Sequence, residues 1–478
     1  MHSHDPAFGG KSLRLPEYPG TLVMGCVITY RSSYPLQGNT PRATVQIDSG
    51  INFLVTFMIE MPRVALHTLG CKVNQYESEK IAEDFRSRGF DLVKFSDEAD
   101  IYVVNTCTVT HTADSKSRQA ARSAINRNPN AAVVLTGCYA ETSPDKLGGI
   151  EGVSMVVGNL GKARLVDEVL AKLARRPGDV ATRRRGETPR TGRTRALLKV
   201  QDGCDQFCSY CAVPLARPVM SSRPMAEVLA EARSLAKQGF KEIVLTGIRL
   251  GTYEDGLVQL IRGLAEIQGI ERIRLSSIEI TDIPEGLIEL IAESRKVCRH
   301  LHVPLQSGDD GVLRRMRRPY TTANFMAFIG EARTKAPGIG LTTDIMVGYP
   351  CETEEEFENT CRFAEKTRFS RVHVFPYSAR PGTKSAGQKD DITSSDKSRR
   401  KARIISLAAE CSQEFASSLI GQTVQVLAEG KPVGANLLSG LTDNYVRVAF
   451  EGGRPGEMAD VRVESADNGI AEGVMRNA

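Results

Sequence analysis

Cys204-Asp205-Gln206-Phe207-Cys208-Ser209-Tyr210-Cys211 places three thiols on one short loop in a CxxxCxxC pattern. Three thiolates are one short of a closed structural metal site, which takes four ligands. They suit three irons of a [4Fe-4S] cluster and leave the fourth iron open. An open iron can chelate the amino and carboxylate groups of S-adenosylmethionine (SAM) and pass it an electron, which starts radical chemistry. The competing reading is a zinc knuckle whose fourth ligand lies elsewhere in the chain.

Three more cysteines stand at the ends of strand-like runs. Arg63–Leu69 leads to Cys71, Asp100–Thr106 to Cys107, and Ala131–Thr136 to Cys138. The segments between them have the length and helical periodicity of βαβ crossovers, for example over Ser78–Arg88. Strands joined this way run parallel, so their C-terminal ends share one edge of the sheet, where open α/β folds bind ligands. Cys71, Cys107 and Cys138 are therefore expected to converge and hold a second cluster. Each is also expected to precede a helix N-terminus, whose dipole favours thiolate. Val153–Asn159 and the helical Lys162–Leu173 complete this domain.

The CxxxCxxC loop follows the first of six further strand-like runs: Ala196–Gln201, Glu242–Thr246, Arg272–Ser277, His300–Leu305, Leu341–Met346 and Arg371–Pro376. Helical segments alternate with them over Met225–Gln238, Gly256–Glu266, Gly286–Glu293, Thr322–Lys335 and Glu354–Thr367. Six βα units predict an open parallel barrel with its chemistry at the C-terminal strand ends. Gly247, Ser277, Glu279 and Gln306 fall at those ends and are the candidate SAM contacts. The glycine would let backbone approach a ligand, and the carboxylate would meet a ribose hydroxyl or an amine. Together, polar strand ends on one face describe a small-molecule pocket.

Arg175–Arg195 holds eight arginines against Asp179 and Glu187. It is a hinge or a phosphate-contacting arm. Arg314–Arg318 is a second basic run, either steering phosphate or ending a solvated helix. Cys298, Cys351, Cys361 and Cys411 lack ligand spacing and are read as ordinary thiols. A charged helix over Ser394–Leu419 leads into short β-runs at Thr423–Ala428, Asn444–Phe450 and Asp460–Ser465, which suggest a small RNA-binding β-barrel.

A net charge of +5 permits a nucleic-acid partner without demanding one. Eleven cysteines without a secretion signal suggest a reducing, cytoplasmic setting, and no apolar run is long enough to span a membrane. The fold class is thus α/β throughout its main part. The divisions are an unassigned, flexible leader over 1–60, a cysteine-bearing open parallel domain over 61–174, a linker over 175–195, a partial (β/α)6 barrel over 196–418, and a β-barrel over 419–478. Met58 and Met61 stand directly before the first clear strand, and translation could equally begin there.

From Pro62 to the C-terminus the combination resembles the radical-SAM methylthiotransferase family. The carriers are the three spaced N-terminal cysteines, the CxxxCxxC loop and a terminal barrel similar to a TRAM domain. The resemblance implies that Cys71, Cys107 and Cys138 hold an auxiliary [4Fe-4S] cluster and that Cys204, Cys208 and Cys211 hold the radical cluster. The run Leu69-Gly70-Cys71-Lys72-Val73-Asn74-Gln75-Tyr76-Glu77-Ser78-Glu79 resembles the branch acting on threonylcarbamoyladenosine in tRNA. Sister branches act on isopentenyladenosine in tRNA or on a ribosomal-protein aspartate. The implied reaction uses one SAM to generate a deoxyadenosyl radical that attacks carbon 2 of adenine, sulfur from the auxiliary cluster, and a methyl group from a second SAM. The partner implied is the anticodon loop of tRNA, where bases can be splayed and stacked. An electron donor such as flavodoxin or ferredoxin is also implied, and the sulfur source is left open. The reading from another class is a zinc-containing RNA-binding protein.

Overall fold

The computed structural model describes residues 29–31, 44–46, 61–173, 193–430 and 437–476. It divides into two compact units, Met1–Pro62 and Arg63–Ala478. In the first, Thr29–Arg31 pairs antiparallel with Thr44–Gln46. The flexible leader expected over 1–60 otherwise lies outside the described residues, as does nearly all of the basic linker.

The second unit opens with a five-stranded parallel sheet in the order Asp91–Val93, Arg63–Thr68, Ile101–Thr106, Ala132–Gly137, Val153–Val157. The chain runs from Arg63–Thr68 out to one edge, then returns to its other side. The topological switch point therefore lies between Arg63–Thr68 and Ile101–Thr106, where such folds open a crevice at the strand ends. Every position of Ile101–Thr106 is buried. Its side chains alternate between two apolar layers, Ile101 and Val103 with Phe85, Tyr102 and Val104 with Ala121 and Ala124. The edge strand Asp91–Val93 has only three residues, too few for a period to register in the sequence.

Six parallel strands follow: Arg195–Lys199, Glu242–Thr246, Arg272–Leu275, His300–His302, Gly340–Val347 and Arg371–Pro376. They form two three-stranded sheets linked by the single bridges Ile273↔Val297 and Ser277↔His302. Leu245, Leu275, Leu301 and Ile345 point outward and pack with Leu260, Leu264, Phe325 and Phe357 of the surrounding helices. The intervening positions face the lumen: Glu242, Arg272, Arg274, His300, His302, Thr342 and Asp344. That lumen is polar, unlike the aliphatic layers that fill a closed eight-stranded barrel.

Helix Ser394–Ser417 leads into a closed antiparallel–parallel barrel ordered Thr423–Glu429, Leu438–Leu441, Arg447–Phe450, Ile470–Met475, Met458–Asp467. Two of its five strands, Leu438–Leu441 and Ile470–Met475, are additional to those read from the sequence. Both carry glycine, which removes the β-branched signal on which strand reading depends. The barrel seats on the lower end of the six-stranded one. Arg272 and Arg274, 2% and 1% exposed, donate to the carbonyls of Gln425, Leu441, Thr442 and Asp443.

Candidate active site

The CxxxCxxC loop is folded by its own backbone. Gly203 takes φ +80° and lies so close to Val219 that an added Cβ would come 2.1 Å from that carbonyl oxygen. Phe207 also adopts a left-handed φ of 45°. The Cys211 N–H donates to the Cys208 carbonyl at 3.0 Å, and Cys204 N–H to the Arg217 carbonyl at 3.3 Å. Ser209 anchors the middle of the loop, its Oγ donating to the Arg315 carbonyl at 2.9 Å. Burial, with the neighbouring charges of Cys208 and Cys204 adding to it, pushes the Cys211 thiol up to about 12.

The N-terminal thiols also converge, at the crevice beside the switch point. Cys71 is the N-cap of helix Lys72–Ser87, and Cys138 opens the short helix Cys138–Thr142. An added Cβ on Gly70, whose φ is +96°, would stand 2.9 Å from Cys107 Sγ, so the strand end tolerates no side chain there. Asn74 ties the two strand ends together by donating to the Leu69 carbonyl at 2.8 Å and the Thr106 carbonyl at 3.0 Å. Burial raises the thiols of Cys71 and Cys107, the latter to about 11, and the charge of Cys138 adds to both. The expectation of helix-favoured thiolates is corrected here in two ways. Cys107 precedes the N-cap Thr110 by a turn and does not lie at a helix end. At Cys71, desolvation outweighs the backbone N–H groups of Asn74 and Val73 and the Arg217 charge, which act the other way.

Among the described residues, no three Cys, His, Asp or Glu side chains close on a point suited to a single metal ion. A cubane makes no such demand, because each thiolate takes a different iron. Two thiol triplets at strand ends match that donor set.

A buried ion-pair group joins the two triplets. Arg217, 3% exposed, donates to both carboxylate oxygens of Glu77 at 2.9 and 2.8 Å and to Asp202 at 2.8 Å. It also donates to Asn74 Oδ1 at 2.9 Å. Lys162 and Lys199 reach the same Glu77 at 2.5 and 2.7 Å. Burial alone would raise the Glu77 carboxyl, but Lys162, Arg217 and Lys199 together hold it well below the carboxylate range. Asn159 completes the seam, donating to the Ala216 carbonyl at 2.7 Å and lying 3.7 Å from Cys138 Sγ.

The strand-end layer carries buried polar atoms without partners: Thr246 Oγ1, Ser276 Oγ and Gln306 Oε1. Gln306 is held in the left-handed region at φ 68° and is 7% exposed. A non-glycine residue in that conformation, buried and unsatisfied, marks a site that a polar ligand would complete. The other candidates fare differently. Gly247 approaches Gln201 and Leu250 of its own loop rather than open space. Ser277 is exposed, while its neighbour Ser276 is buried. Glu279 is paired with Arg318, which also donates to Cys208 Sγ at 3.3 Å and to Tyr320 Oη at 2.9 Å. The basic run 314–318 therefore divides. Arg314 and Arg317 are exposed, Arg315 pairs with Glu356 at 2.7 Å, and Arg318 is buried against the loop. Nothing in residue type or spacing marks Arg217 or Asn74 as buried, and Arg318 stands in a basic run that reads as phosphate-steering or solvated rather than as a contact to the cysteine loop.

Three family models match the chain: Uncharacterized protein family UPF0004 over residues 63–158, the Radical SAM superfamily over 198–364, and the TRAM domain over 417–475. A protein of Bacillus subtilis named threonylcarbamoyladenosine tRNA methylthiotransferase MtaB is 40% identical, the match covering 86% of this chain and 96% of that one. Its Thermotoga maritima namesake is 37% identical over 85% and 95%. A tRNA-2-methylthio-N(6)-dimethylallyladenosine synthase of Syntrophotalea carbinolica is 35% identical over 76% and 88%. Among solved structures, the radical S-adenosylmethionine methyltransferase TsrM of Kitasatospora setae, with cobalamin and a [4Fe-4S] cluster bound, aligns with a TM-score of 0.52 at 18% identity, covering 68% of this chain and 77% of that one. That likeness is one of fold.

Proposed function

The chain belongs to the radical-SAM methylthiotransferase family, and within it we propose that it methylthiolates carbon 2 of N6-threonylcarbamoyladenosine beside the anticodon of tRNA. The observation that carries the chemistry is the pair of thiol triplets at the strand ends of two adjoining parallel domains, locked together through Arg217. The nucleoside is supported by the relatives of Bacillus subtilis and Thermotoga maritima, whose names carry it and whose identities exceed that of the dimethylallyladenosine synthase.

On this reading Cys204, Cys208 and Cys211 hold the SAM-binding [4Fe-4S] cluster, and Cys71, Cys107 and Cys138 hold the auxiliary one. Those groups would supply the electron for SAM cleavage and the sulfur for a C–H bond that no side-chain acid or base can break. The chain's own residues supply position and environment. Gln306, Ser276 and Thr246 offer unsatisfied polar atoms to SAM. Arg318 donates to a ligating sulfur, while Asn74, Arg217 and Glu77 fix one triplet against the other. Residues 61–174 carry the auxiliary cluster, 196–418 the radical chemistry and 419–478 an RNA contact, with Arg314, Arg317 and the 175–195 linker as candidate phosphate partners. A flavodoxin or ferredoxin in the cytoplasm would deliver the electron.

Nucleoside mass spectrometry of tRNA from a deletion strain tests this. The methylthiolated threonylcarbamoyladenosine should vanish, return with the wild-type gene, and stay absent with Cys204→Ala. Loss of a methylthiolated isopentenyladenosine instead would transfer the protein to the sister branch.

A further inference from the structure

Exposed apolar side chains are concentrated around the cysteine loops. Of the eight large hydrophobics exposed among the described residues, five are Val109, Leu160, Phe207, Leu215 and Val219. All five stand on loops beside the thiol triplets. Val109 follows Cys107 by two residues, and Phe207 lies inside the CxxxCxxC run. Leu160 and Leu215 adjoin the hydrogen bond from Asn159 to the Ala216 carbonyl, 2.7 Å long and beside Cys138. Val219 borders Gly203 at the entry to the cysteine loop. Scattered apolar residues need no explanation, but a concentration at the mouth of one site marks a surface that a partner covers.

Phe207 is the strongest of them. Its ring is 56% exposed and its backbone holds φ 45°. The other left-handed residue of this loop is Gly203, which takes that conformation without steric strain. At Phe207 the chain keeps a large ring where glycine would be unstrained, and leaves that ring in solvent. Backbone strain that serves no packing contact is characteristic of a functional position.

Cations stand on both segments that hold the loop. Ser209 N–H donates to the Met316 carbonyl at 3.1 Å and Ser209 Oγ to that of Arg315 at 2.9 Å, seating the loop on the end of helix Asp310–Arg315. Arg314 and Arg317 are exposed there. A second segment reaches the same residue: Ser385 N–H donates to the Ser209 carbonyl at 2.8 Å, and its neighbour Lys384 is exposed. Among the described residues, no acid lies within ion-pair distance of these three cations. The exposed acid of the loop itself, Asp205, is held by Arg249. An uncovered ring among unpaired cations suits single-stranded nucleic acid, whose bases stack on the ring while its phosphates meet the cations. An acidic protein surface would answer the cations but not the strained ring, which offers a flat face rather than a groove.

We propose that Phe207 is the stacking platform for a base next to the target nucleoside, with Arg314, Arg317 and Lys384 on the phosphates around it. This rests on the tRNA reading above. The target base must leave its stack to bring carbon 2 to the thiol triplets, and its neighbour then loses a stacking face. A ring one residue from Cys208 replaces that face at the mouth of the site.

The test uses reconstituted full-length protein and anticodon stem-loop RNAs carrying the threonylcarbamoylated target. The nucleotides on either side of the target are left intact, or one base at a time is replaced by an abasic ribose. Wild type should lose roughly five- to a hundredfold in affinity when one of the two bases is removed, the range of one base–aromatic stack. Phe207→Leu should weaken the intact RNA by the same factor and that abasic RNA hardly at all, since both changes remove one contact. Phe207→Trp should bind like wild type. Because the chain has no other Trp, its fluorescence should be quenched by the intact RNA and not by the abasic one. Iron content reports whether each variant keeps its cluster, and the abasic arm needs no variant. Wild-type affinity unchanged by either abasic site would overturn the proposal. So would equal weakening of intact and abasic RNA by Phe207→Leu. Slower reduction by flavodoxin with RNA affinity unchanged would assign the ring to the electron donor and overturn it too. Failure of the tRNA reading looks different: wild type would neither bind nor modify the intact stem-loop, and this assignment would fall with it.

Discussion

Arg217 is the guanidinium on which the two thiol triplets depend for register, and its removal has a calculable consequence. Arg217→Met leaves Glu77 and Asp202 without the fork that bridges them and strands Asn74 Oδ1, an acceptor beside Cys71. Breaking a buried ion pair by deleting one partner typically costs about 3–5 kcal/mol. Lys162 and Lys199 remain on Glu77 at 2.5 and 2.7 Å, which places the loss near the lower end, about 3 kcal/mol. Global unfolding is a poor reporter in a multidomain cluster protein. Amide hydrogen exchange reads the local opening instead, and about 3 kcal/mol corresponds to exchange faster by roughly a hundredfold in 72–78 and 201–206. Glu77→Gln should produce a similar change. The double variant should cost less than the two singles together by about 0.5–3 kcal/mol, because each single leaves the other group unpaired. The sign with pH follows from the depressed Glu77 carboxyl. Its contribution is fully present above the unfolded value of 4.5 and fades as pH falls through the lower folded value. Protection of 72–78 should therefore weaken in acid in wild type and less so in Glu77→Gln. Strict additivity, or exchange within threefold of wild type in Arg217→Met, would refute the view that this arginine couples the triplets.

Anaerobically reconstituted protein should hold about eight irons, falling to about four when Cys204, Cys208 and Cys211 are replaced, with SAM cleavage lost. Replacing Cys71, Cys107 and Cys138 should also leave about four irons but retain SAM cleavage; full iron retention would sink the two-triplet assignment. Arg318→Met removes a donor at 3.3 Å from Cys208 Sγ and leaves Glu279 uncompensated. Both changes make the thiolate richer in electrons, so the midpoint potential in an EPR-monitored titration should fall, and a rise would contradict the contact. Arg274→Met leaves Glu242 with only the longer Arg272 pair at 3.7 Å and the Thr442 and Asp443 carbonyls without their donor. It should destabilise the seat of the C-terminal barrel by about 3–5 kcal/mol, seen as faster proteolysis near residue 420, and an unchanged cleavage rate would argue against a structural role there.

What the sequence makes legible follows the strength of local signals. Helices Thr322–Lys335 and Glu354–Thr367 are read to the residue because Thr321 and Thr353 form capping boxes with Asn324 and Glu356. The central strands are legible because outward Leu, Ile and Val recur between helices. The six candidate cysteines are legible by their spacing and by the strand ends they follow. The SAM contacts are less legible, since strand-end position identifies a layer but not an orientation. Ser276, one residue from the expected Ser277, is the buried one, because alternation along Arg272–Leu275 directs even-numbered side chains inward. The ion pairs that join the domains are not legible at all. Glu77 and Arg217 are far apart in the chain, and a charged residue in isolation reads as solvated surface.

Helix Lys72–Ser87 shows why its polar sequence is nonetheless deeply placed. The sequence suggests a helix only from Ser78, because its mean character is hydrophilic and a single apolar stripe is weak. Every face of it is in use. Asn74, Ser78, Ile81 and Phe85, at spacings of one and two turns, meet their own sheet, with Asn105 donating to the Asn74 carbonyl at 2.9 Å and to Ser78 Oγ at 3.0 Å. Glu77 meets the cations of the seam. Tyr76 and Lys80 meet Glu231 of the central barrel at 3.0 and 2.8 Å. The residue that caps this helix is Cys71 itself. A rotation of the helix would therefore shift Cys71 and the ion-pair seam together, so one rigid element sets the position of both. The hydrophilic composition is what such a helix requires, since two of its three faces are matched to charges on another domain rather than to a hydrophobic core.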